Sequence, residues 1–495
     1  MRNRLLVSLC SLASILLTLA SVGCGSGASD PPAASVTSTA NPLVAQYTIY
    51  HFHDGLTAWV EFGTDTTYGR QTSVMTTSPI LVAGMKQNTL YHMRAHVNWA
   101  SGSWVDQDRT FTTGPLPSSF AVPAITVVQP TPGLSPAPGV ELLSLIEPAN
   151  TNMLQAVATD LQGNVIWYYP QQATPIKLMQ NGDFILNLVS DLREVDLAGN
   201  TVRDVSQTQV NQSMSANGFD FTTGGFSHDV LTLANGHWIA IVKVSKNFTN
   251  LPGYPGTISI LGDGIVDIDP NGNVVWAWSA FDYLDVTRFL QGLPDWTHAN
   301  ALVYTADGNL LISLRNQSWI LKVDYENGTG TGNVLWKLGN DGDFSIAGGD
   351  SGQWFYAEHD PNLLSTNGSQ MTVAIWDNGN YRINSANLIC EGSPTAPPCY
   401  SRATIFQIDE STNLATVLWQ YLPGTYSPWG GSIGTMSNGD VEFDISSPLN
   451  GLFSPITEVT QDANPQTVWQ MTITGENAYR GSRIPSLYPG VTWLQ

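Results

Sequence analysis

The sequence predicts an all-β protein: a six-bladed β-propeller preceded by a small β-sandwich domain. From residue 140 onwards one unit recurs about six times, consisting of a hydrophobic strand, an acidic or Asn-Gly turn, and a strand usually closed by Trp. A second hairpin recurs between these copies, so each repeat supplies four strands, which is one propeller blade. Helical periodicity is almost absent from the chain, which excludes a helical repeat.

The composition excludes one class of partner. Asp and Glu number 40 against 19 Lys and Arg, which gives a net charge of −21 over 495 residues. A surface this acidic repels nucleic acid and anionic lipid surfaces. We therefore expect no nucleic-acid partner, whereas anionic small molecules stay possible ligands because a pocket is governed by its own few donors.

Residues 1–24 have the pattern of a signal peptide. Arg2 and Arg4 precede the uncharged run Leu5–Val22, as a basic region precedes an apolar one in secretory signals. The run ends at Cys24 in the sequence SVGC, which resembles the lipobox of bacterial lipoproteins. We predict an exported protein, periplasmic or anchored in the outer membrane through a lipid on Cys24; the alternative is an ordinary signal peptide cleaved nearby.

Two cysteines are left outside the signal segment. Cys390 and Cys399 are separated by eight residues rich in Pro, Gly and Ser. In an oxidising compartment this pair is predicted to form a disulfide that clamps a surface loop. Since no further soft ligand is spaced nearby, we predict no metal at this pair.

Two segments have the composition of connections. Residues 25–41 (GSGASDPPAASVTSTAN) predict a flexible tether, and the Pro-rich residues 114–139 predict a stiff linker. These boundaries leave residues 42–113 for the N-terminal domain and 140–495 for the propeller.

Residues 42–113 alternate between apolar and polar side chains. Tyr91 and Met93 are expected to point to one side of a strand, with His92 on the other. Alternation over short runs broken by Gly and Asn is typical of a small antiparallel sandwich. The stretch Gly84–Val97 resembles the late strands of a fibronectin type III domain.

The repeats of residues 140–495 are defined by their turns and by the Trp that closes each unit. Asn-Gly and Asp-Gly turns favour tight hairpins because these residues tolerate positive φ. The closing residues are Trp167, Trp276, Trp336, Trp419 and Trp469.

Three histidines occupy equivalent places in consecutive repeats. His228 lies seven residues before Asn235-Gly236, His298 nine before Asp307-Gly308, and His359 eight before Asn367-Gly368. The first strand of each blade lines the central channel of a propeller. We therefore expect the three side chains to meet at one mouth of the channel; the alternative is that each bonds a neighbouring blade as a structural residue.

Arg315 follows the apolar strand of the blade that carries His298. A guanidinium there requires an anion or a carboxylate, because an unpaired buried charge is strongly unfavourable. The sequence leaves two interpretations open, an anionic ligand or an ion pair between blades.

The stretch WTHANALVYTADGNLLISLRNQSWILKVD, followed by FYAEHDPNLL and AIWDNGN, resembles the bacterial aryl sulfotransferases. The resemblance covers residues 140–495 and is densest from 295 to 380. It implies an exported six-bladed propeller with an extra N-terminal β domain. It also implies an enzyme that moves a sulfuryl group from a phenolic sulfate ester to a phenol acceptor, without a nucleotide donor and without a cofactor.

The resemblance also implies roles for individual residues. His359 corresponds to the histidine that becomes transiently sulfated in the family. His228, His298 and Arg315 correspond to residues that hold the sulfuryl oxygens, and Asn300 to a supporting residue. The chain departs from the family at Glu358, where many members have an amide side chain, and in the Cys390–Cys399 loop, which follows the nucleophile instead of preceding it.

The aryl group of a substrate requires aromatic or apolar contacts. Most Trp residues close repeats and are expected in the core, so we predict Trp354, Tyr356 and Trp429 as the aryl wall. The natural donor, the acceptor and the oligomeric state, including a homodimer, are left open by the sequence.

Two alternatives to a sulfotransferase follow from the same residues. Three histidines on a propeller axis suit iron, copper or zinc, as in a non-haem metal oxygenase, but that site predicts a fourth ligand and no adjacent cation such as Arg315. A non-catalytic propeller that binds an anionic or sulfated ligand needs the arginine but no nucleophile.

Overall fold

The computed structural model describes residues 33–146, 152–383, 387–390 and 399–494. The predicted signal peptide, with Cys24, lies outside these residues. The described part is nearly all β, as predicted. Its helices are short: α1 (Gln207–Ala216), α2 (Ala280–Tyr283) and 3-10 turns at Arg315–Gln317, Glu326–Gly328, Ser351–Gln353 and Pro448–Asn450. None of the helices in the described residues is long and apolar enough to cross a membrane.

The N-terminal unit has two antiparallel sheets. Its strands are β1 (Ala34–Ser38), β2 (Ala45–Ile49), β3 (Thr57–Gly63), β4 (Arg70–Gln71), β5 (Ile80–Val82), β6 (Leu90–Trp99), β7 (Gly102–Val105) and β8 (Arg109–Thr112). One sheet has the order β1-β2-β5; the other has the order β4-β3-β6-β7, with β8 also on β6. Buried and half-buried residues alternate along β6 as the sequence predicts. Side chains from both sheets, such as Tyr47 and Phe62, share one hydrophobic cluster.

Two predicted connections contain strands. β1 lies within the predicted tether and pairs with β2. A further strand, β9 (Ala124–Val128), lies within the predicted linker. β9 gains its hydrogen bonds from β33, far along the chain, which local sequence does not show. β1 pairs with the nearby β2, and the small polar residues of the predicted tether did not reveal it.

The propeller follows β9 in chain order. Its strands are β10 (Val140–Ile146), β11 (Ala156–Thr159), β12 (Val165–Tyr169), β13 (Ile176–Leu178), β14 (Phe184–Asn187), β15 (Asp191–Val195), β16 (Thr201–Ser206), β17 (Thr223–Thr232), β18 (Trp238–Leu251), β19 (Tyr254–Ile268), β20 (Val274–Ser279), β21 (Ala299–Tyr304), β22 (Leu310–Leu314), β23 (Trp319–Val323), β24 (Val334–Leu338), β25 (Ser345–Ile346), β26 (His359–Asn367), β27 (Gln370–Asp377), β28 (Arg402–Asp409), β29 (Leu414–Tyr421), β30 (Ser432–Thr435), β31 (Val441–Asp444), β32 (Phe453–Val459), β33 (Thr467–Thr474) and β34 (Asn477–Ile484).

These strands form six blades. Four blades are β13–β16, β17–β20, β21–β24 and β26–β29, the last with β25 added in parallel to β29; the fifth is β30–β33 with β9 added to β33. The sixth has the order β12-β11-β10-β34, so the last strand of the chain closes the ring against β10. Neighbouring inner strands contact one another in the series β17, β21, β26, β30 and β34.

The Trp that closes each repeat links its blade to the next. Each indole N–H donates to an oxygen of the following blade, at 2.7 to 3.2 Å: Trp167 to Leu197, Trp276 to Gly330, Trp336 to Glu410, Trp419 to Asp462 and Trp469 to Leu161. Where the repeat ends in Arg203 instead, the guanidinium donates to carbonyl groups of the next blade and lies over the ring of Trp238. The repeated Trp is therefore an inter-blade contact.

The predicted disulfide between Cys390 and Cys399 is confirmed. The disulfide lies in the connection between β27 and β28. β27 pairs with β26, the strand that begins at His359.

Candidate active site

The three histidines lie on the inner strands of three consecutive blades. His228 is in β17, His298 directly precedes β21, and His359 is the first residue of β26. The ring centroids of His228 and His298 are 4.8 Å apart. The ring of Tyr479, from the closing strand β34, lies 5.5 Å from His228 and 6.0 Å from His359. The ring closure therefore brings the histidines together around Tyr479.

Each histidine sits at an irregularity of its strand. The pairing register shifts between Ser227 and Val230, between Ala299 and Ala301, and between His359 and Asn362. His228 and His298 have φ values of 24° and 49°. A left-handed backbone at a non-glycine residue costs about 1–3 kcal/mol and clusters at functional sites. In a regular strand the side chains alternate between the two faces of the sheet, and a bulge changes the direction of the side chains at that point.

His359 is 1% exposed and is held as one tautomer. The amide of Asn378 donates to the carbonyls of Ser427 at 2.9 Å and Gly430 at 3.0 Å, so its Oδ1 faces the imidazole. Nδ1–H of His359 donates to that oxygen at 2.7 Å, and Nε2 accepts from the Gly430 N–H at 3.2 Å. Nε2 therefore carries the lone pair. Burial, then the charge of Arg315, holds the pKa of His359 well below its ordinary value, so the ring is neutral.

His298 forms a pair with a carboxylate. Its Nδ1 lies 2.5 Å from Oδ2 of Asp295. Burial raises the pKa of Asp295, but the hydrogen bond from His298, together with the charges of His298, Arg315 and Lys243, leaves this pKa below its usual range. An ionised Asp295 accepts from Nδ1–H of His298 and so fixes the orientation of the ring. Within the described residues, Nε2 of His298 has no hydrogen-bond partner and is available for proton transfer.

His228 is kept neutral. Its Nδ1 lies 2.6 Å from the Ser227 hydroxyl. Burial, then the neighbouring His298 and His359, holds the pKa of His228 well below its ordinary value. A neutral imidazole donates or accepts one hydrogen bond without adding charge.

Arg315 is a cation without a counterion among the described residues. Its Nη atoms donate to Gln291 at 3.2 Å, to Asn316 at 2.7 Å and to the carbonyl of Pro428 at 2.9 Å. Its Nε is buried without a partner in the described part of the chain. The ion pair between blades that the sequence left open is not formed there. Pro428 lies two residues before Gly430, so Arg315 borders the segment that contacts His359.

Asn300 and Glu358 support the segment before His359. Nδ2 of Asn300, which is fully buried, donates to the backbone carbonyl of Glu358 at 2.7 Å. The Ser313 hydroxyl donates to the Glu358 carboxyl at 2.9 Å. Burial raises the pKa of Glu358 to about 8, so this side chain is a neutral acid at neutral pH. A neutral carboxylic acid offers a donor and an acceptor, as an amide does. This accounts for Glu358 at the position where many members of the family resembled have an amide side chain.

Two of the three predicted aryl contacts are corrected. Trp354 and Tyr356 are 4% and 2% exposed and belong to a hydrophobic cluster between blades, with Phe355 and Phe406. The ring of Trp354 packs against Phe355 and Phe406, and among the described residues neither this ring nor that of Tyr356 lies against one of the three histidines. Trp429 is half-buried and lies beside Gly430, which contacts His359. Only Trp429 is therefore kept as a candidate aryl contact.

Sequence reasoning missed Asn378, Asp295 and Tyr479. Asn378 lies within the AIWDNGN string and Asp295 three residues before His298, so both had a sequence signal. Tyr479 had none, since β34 lacks the turn on which the repeats align. Its hydroxyl is buried without a partner among the described residues.

The donor set does not favour a metal. In the described ranges, no group of three or more His, Cys, Asp and Glu is arranged to hold a metal ion.

Solved structures show only distant likenesses. A protein from Lactobacillus plantarum is 11% identical, with 68% of this chain and 83% of that chain covered and a TM-score of 0.36. Virginiamycin B lyase from Staphylococcus aureus is 10% identical, with 71% and 99% covered and a TM-score of 0.28. A variant of the Synechocystis apocarotenoid oxygenase is 10% identical, with 92% and 96% covered and a TM-score of 0.24. Because all three scores are below 0.5, these likenesses establish neither fold nor activity.

The sequence itself matches one protein family. No curated protein matches the chain. The family model described as Arylsulfotransferase (ASST) matches residues 135–480, which include all three histidines and Arg315. Because this match spans more than half of the chain, the protein belongs to the arylsulfotransferase family.

Proposed function

We propose that this protein transfers a sulfuryl group from an aryl sulfate to a phenol through a sulfated His359, in a ping-pong mechanism. The single observation that carries the proposal is the state of His359. Its Nε2 has a lone pair, its ring is neutral, and the Arg315 guanidinium lies nearby without a counterion in the described residues. A neutral nucleophile beside an unpaired cation suits attack on an anionic ester.

The first half-reaction forms an N–S bond and breaks an S–O bond. Nε2 of His359 gives up its hydrogen bond from the Gly430 N–H and attacks sulfur with the freed lone pair, and the phenolic oxygen leaves with the electron pair of the S–O bond. Charge spreads over the three sulfuryl oxygens in such a loose transition state. In this proposal Arg315 and His228 donate hydrogen bonds to these oxygens, and loss of one such donor typically costs about 10²–10³ in rate.

The leaving phenolate requires a proton, and the pair His298–Asp295 supplies a suitable acid. In this step Nε2–H of His298 donates its proton to the phenolate oxygen, while Asp295 holds the ring through Nδ1. His298 then returns to the neutral form. In the second half-reaction it accepts the proton of the incoming phenol, whose oxygen attacks sulfur and releases Nε2 of His359.

The two alternatives fit the contacts less well. A dication at the histidines would be repelled by the guanidinium of Arg315. A binding module needs Arg315 but gives no reason for the amide of Asn378 to fix one tautomer of His359.

Capture of the substrate depends on short-range donors and on Trp429, because the overall charge of −21 gives no long-range attraction for sulfate esters.

Turnover of a chromogenic aryl sulfate, with and without an added phenol, is the direct test. Release of the chromophore that depends on phenol is the expected result. Equal release without phenol indicates hydrolysis instead, and binding without release supports the non-catalytic alternative. Metal analysis of the purified protein accompanies this assay, and stoichiometric metal would overturn the argument from Arg315.

The covalent step is tested by labelling. Incubation with a ³⁵S-labelled aryl sulfate is expected to give an acid-labile label on the peptide that contains His359. His359→Asn should abolish both label and turnover. His237→Asn is the matched control, since His237 also lies near a turn of an inner hairpin but pairs with Asp267 away from the site. A label on another peptide would contradict the assignment.

We also propose that the protein is exported, and that Cys24 carries a lipid. The Cys390–Cys399 disulfide supports an oxidising compartment. Radiolabelled palmitate should be incorporated into the wild-type protein and not into Cys24→Ala. If both proteins are recovered unlabelled in the soluble periplasmic fraction, Cys24 carries no lipid. The segment is then an ordinary signal peptide that is cleaved nearby.

A further inference from the structure

The closing strand β34 places one arginine against all three histidine-bearing segments. Arg480 has a side chain that is 7% exposed. It forms ion pairs with Oδ1 of Asp229 at 3.5 Å and with Oδ1 of Asp360 at 3.3 Å, and Nη2 donates to the carbonyl of Asn300 at 3.0 Å.

These three partners are the chain neighbours of the three histidines. Asp229 follows His228, Asp360 follows His359, and Asn300 lies two residues after His298. Each partner also lies within or beside the strand irregularity of its histidine. One guanidinium thus joins three bulges that belong to three different blades.

We propose that Arg480 is the positioning residue that holds the His228, His298 and His359 segments in the arrangement needed for sulfuryl transfer. The proposal rests on the proposed function of these histidines. Arg480 acts through its partners, so we do not assign it a contact with the substrate.

The backbone of these segments requires such a contact. His228 and Asp360 have φ values of 24° and 49°, and unfavourable backbone of this kind persists only where the surroundings impose it. Arginine suits the task because its planar group offers five donors in fixed directions. A lysine ammonium is a single centre and cannot reach three separate acceptors in the same geometry.

The charges around this contact are balanced. Lys177 also pairs with Asp229, whereas Asp360 has no second cation within ion-pair distance in the described part of the chain. The other charged groups that act on His359 are Arg315 and His298. Loss of Arg480 removes one positive charge and leaves Asp360 unpaired. Both changes raise the pKa of His359 and His228, so an acid limb of the pH profile moves to higher pH.

Arg483 provides a matched control on the same strand. It lies three residues further along β34, and its side chain is 2% exposed. It pairs with Glu141, Glu442 and Glu458 and contacts none of the histidine segments. Arg480→Lys and Arg483→Lys therefore remove the same group, and keep the same charge, at two buried positions of one strand.

The test compares these variants in the chromogenic transfer assay. Arg480→Lys is expected to lower kcat by about 10²-fold with a smaller change in KM, since misplacement of reacting groups by about 1 Å has that effect. Arg483→Lys should keep kcat near the wild-type value even where its melting temperature falls. Arg480→Met should in addition shift the acid limb to higher pH, which a merely structural loss does not do. Wild-type kcat in Arg480→Lys, or equal losses in both lysine variants, overturns the proposal.

A second readout does not need turnover. Diethyl pyrocarbonate modification of His359, followed by peptide mass analysis, reports whether the ring keeps its buried position. We expect slow modification in wild type and Arg483→Lys, and at least about tenfold faster modification in Arg480→Lys. Equal rates in all three overturn the positioning role, whereas a wild-type protein without transfer activity contradicts the proposed function itself.

Discussion

Nδ1 of His359 lies 2.7 Å from Oδ1 of Asn378, and the Asn378 amide is itself held by the carbonyls of Ser427 and Gly430. A flipped amide would turn its oxygen toward the two carbonyl oxygens of Ser427 and Gly430, which are acceptors, and would lose both of these hydrogen bonds. The proton of His359 is therefore on Nδ1, and the lone pair is on Nε2. The orientation of the proposed nucleophile is thus set by a residue 19 positions further along the chain.

Removal of this amide should disable the nucleophile without removing it. Asn378→Ala frees the ring to rotate and to adopt either tautomer, so we expect kcat to fall by about 10²-fold. Steady-state transfer from a chromogenic aryl sulfate measures the loss. Asn438→Ala, at an exposed turn of the fifth blade, is the control. Unchanged kcat in Asn378→Ala would contradict the role of the amide.

Arg315 should be the main determinant of anion affinity. Because its charge has no carboxylate partner in the described residues, we expect Arg315 to bind inorganic sulfate. Sulfate should therefore raise the melting temperature of the wild-type protein, since a ligand at 100 times its Kd stabilises the folded state by about 2.7 kcal/mol. Arg315→Gln should lose this sulfate response and about 10²–10³ in kcat. Arg193→Gln, whose partner is Asp204, serves as the control. A sulfate response of equal size in Arg315→Gln would refute the assignment.

The pH dependence of donor turnover should reflect the depressed pKa of His359. The nucleophile must be neutral, and burial together with Arg315 keeps its pKa well below 6.5. The kcat/KM for the donor, which reports the first half-reaction alone, should therefore stay on its plateau as the pH falls through about 6.5, the ordinary histidine value. A pH series with a donor whose sulfate stays ionised measures this. An acid limb centred at or above the ordinary value would show that His359 is not held as described.

Glu358 should act as an amide equivalent and make stability depend on pH. Its folded-state pKa of about 8 lies above the unfolded value, so the folded protein holds this proton more tightly. The free energy of unfolding then falls between about pH 4.3 and 8, by up to about 1.4 kcal/mol per pH unit from this group. Glu358→Gln should keep transfer activity and remove this loss. Denaturant unfolding at pH 5.5 and 7.5 compares the two proteins, and an identical pH dependence would contradict a neutral Glu358.

The inter-blade Trp contacts should contribute to stability and not to catalysis. Trp167→Phe leaves the Leu197 carbonyl without its donor, which typically costs about 1–3 kcal/mol. We expect a lower melting temperature and an unchanged kcat. Trp99→Phe, at a position that is 37% exposed, is the control. Equal melting temperatures for the two variants would show that the contact adds nothing.

The site shows where sequence reasoning stops. The sequence predicts the equivalent positions of His228, His298 and His359, because a hairpin turn fixes the position of the residues before it. The sequence did not predict that Trp354 and Tyr356 lie in the core between blades. Which face of an aromatic side chain is covered depends on the neighbouring blade, and Phe406, more than 45 residues away, covers Trp354.

By itself the sequence determined the all-β class, the blade count, the Cys390–Cys399 pair and the inner-strand positions of the three histidines. These follow from local rules: turn residues, strand alternation and a recurring hairpin unit. Only the tertiary structure decided that Arg315 has no carboxylate partner in the described residues, that Asn378 fixes His359, and that β34 brings Tyr479 and Arg480 into the site. The physical reason is the closed ring, which makes contacts between residues far apart in the chain and leaves no local pattern for them.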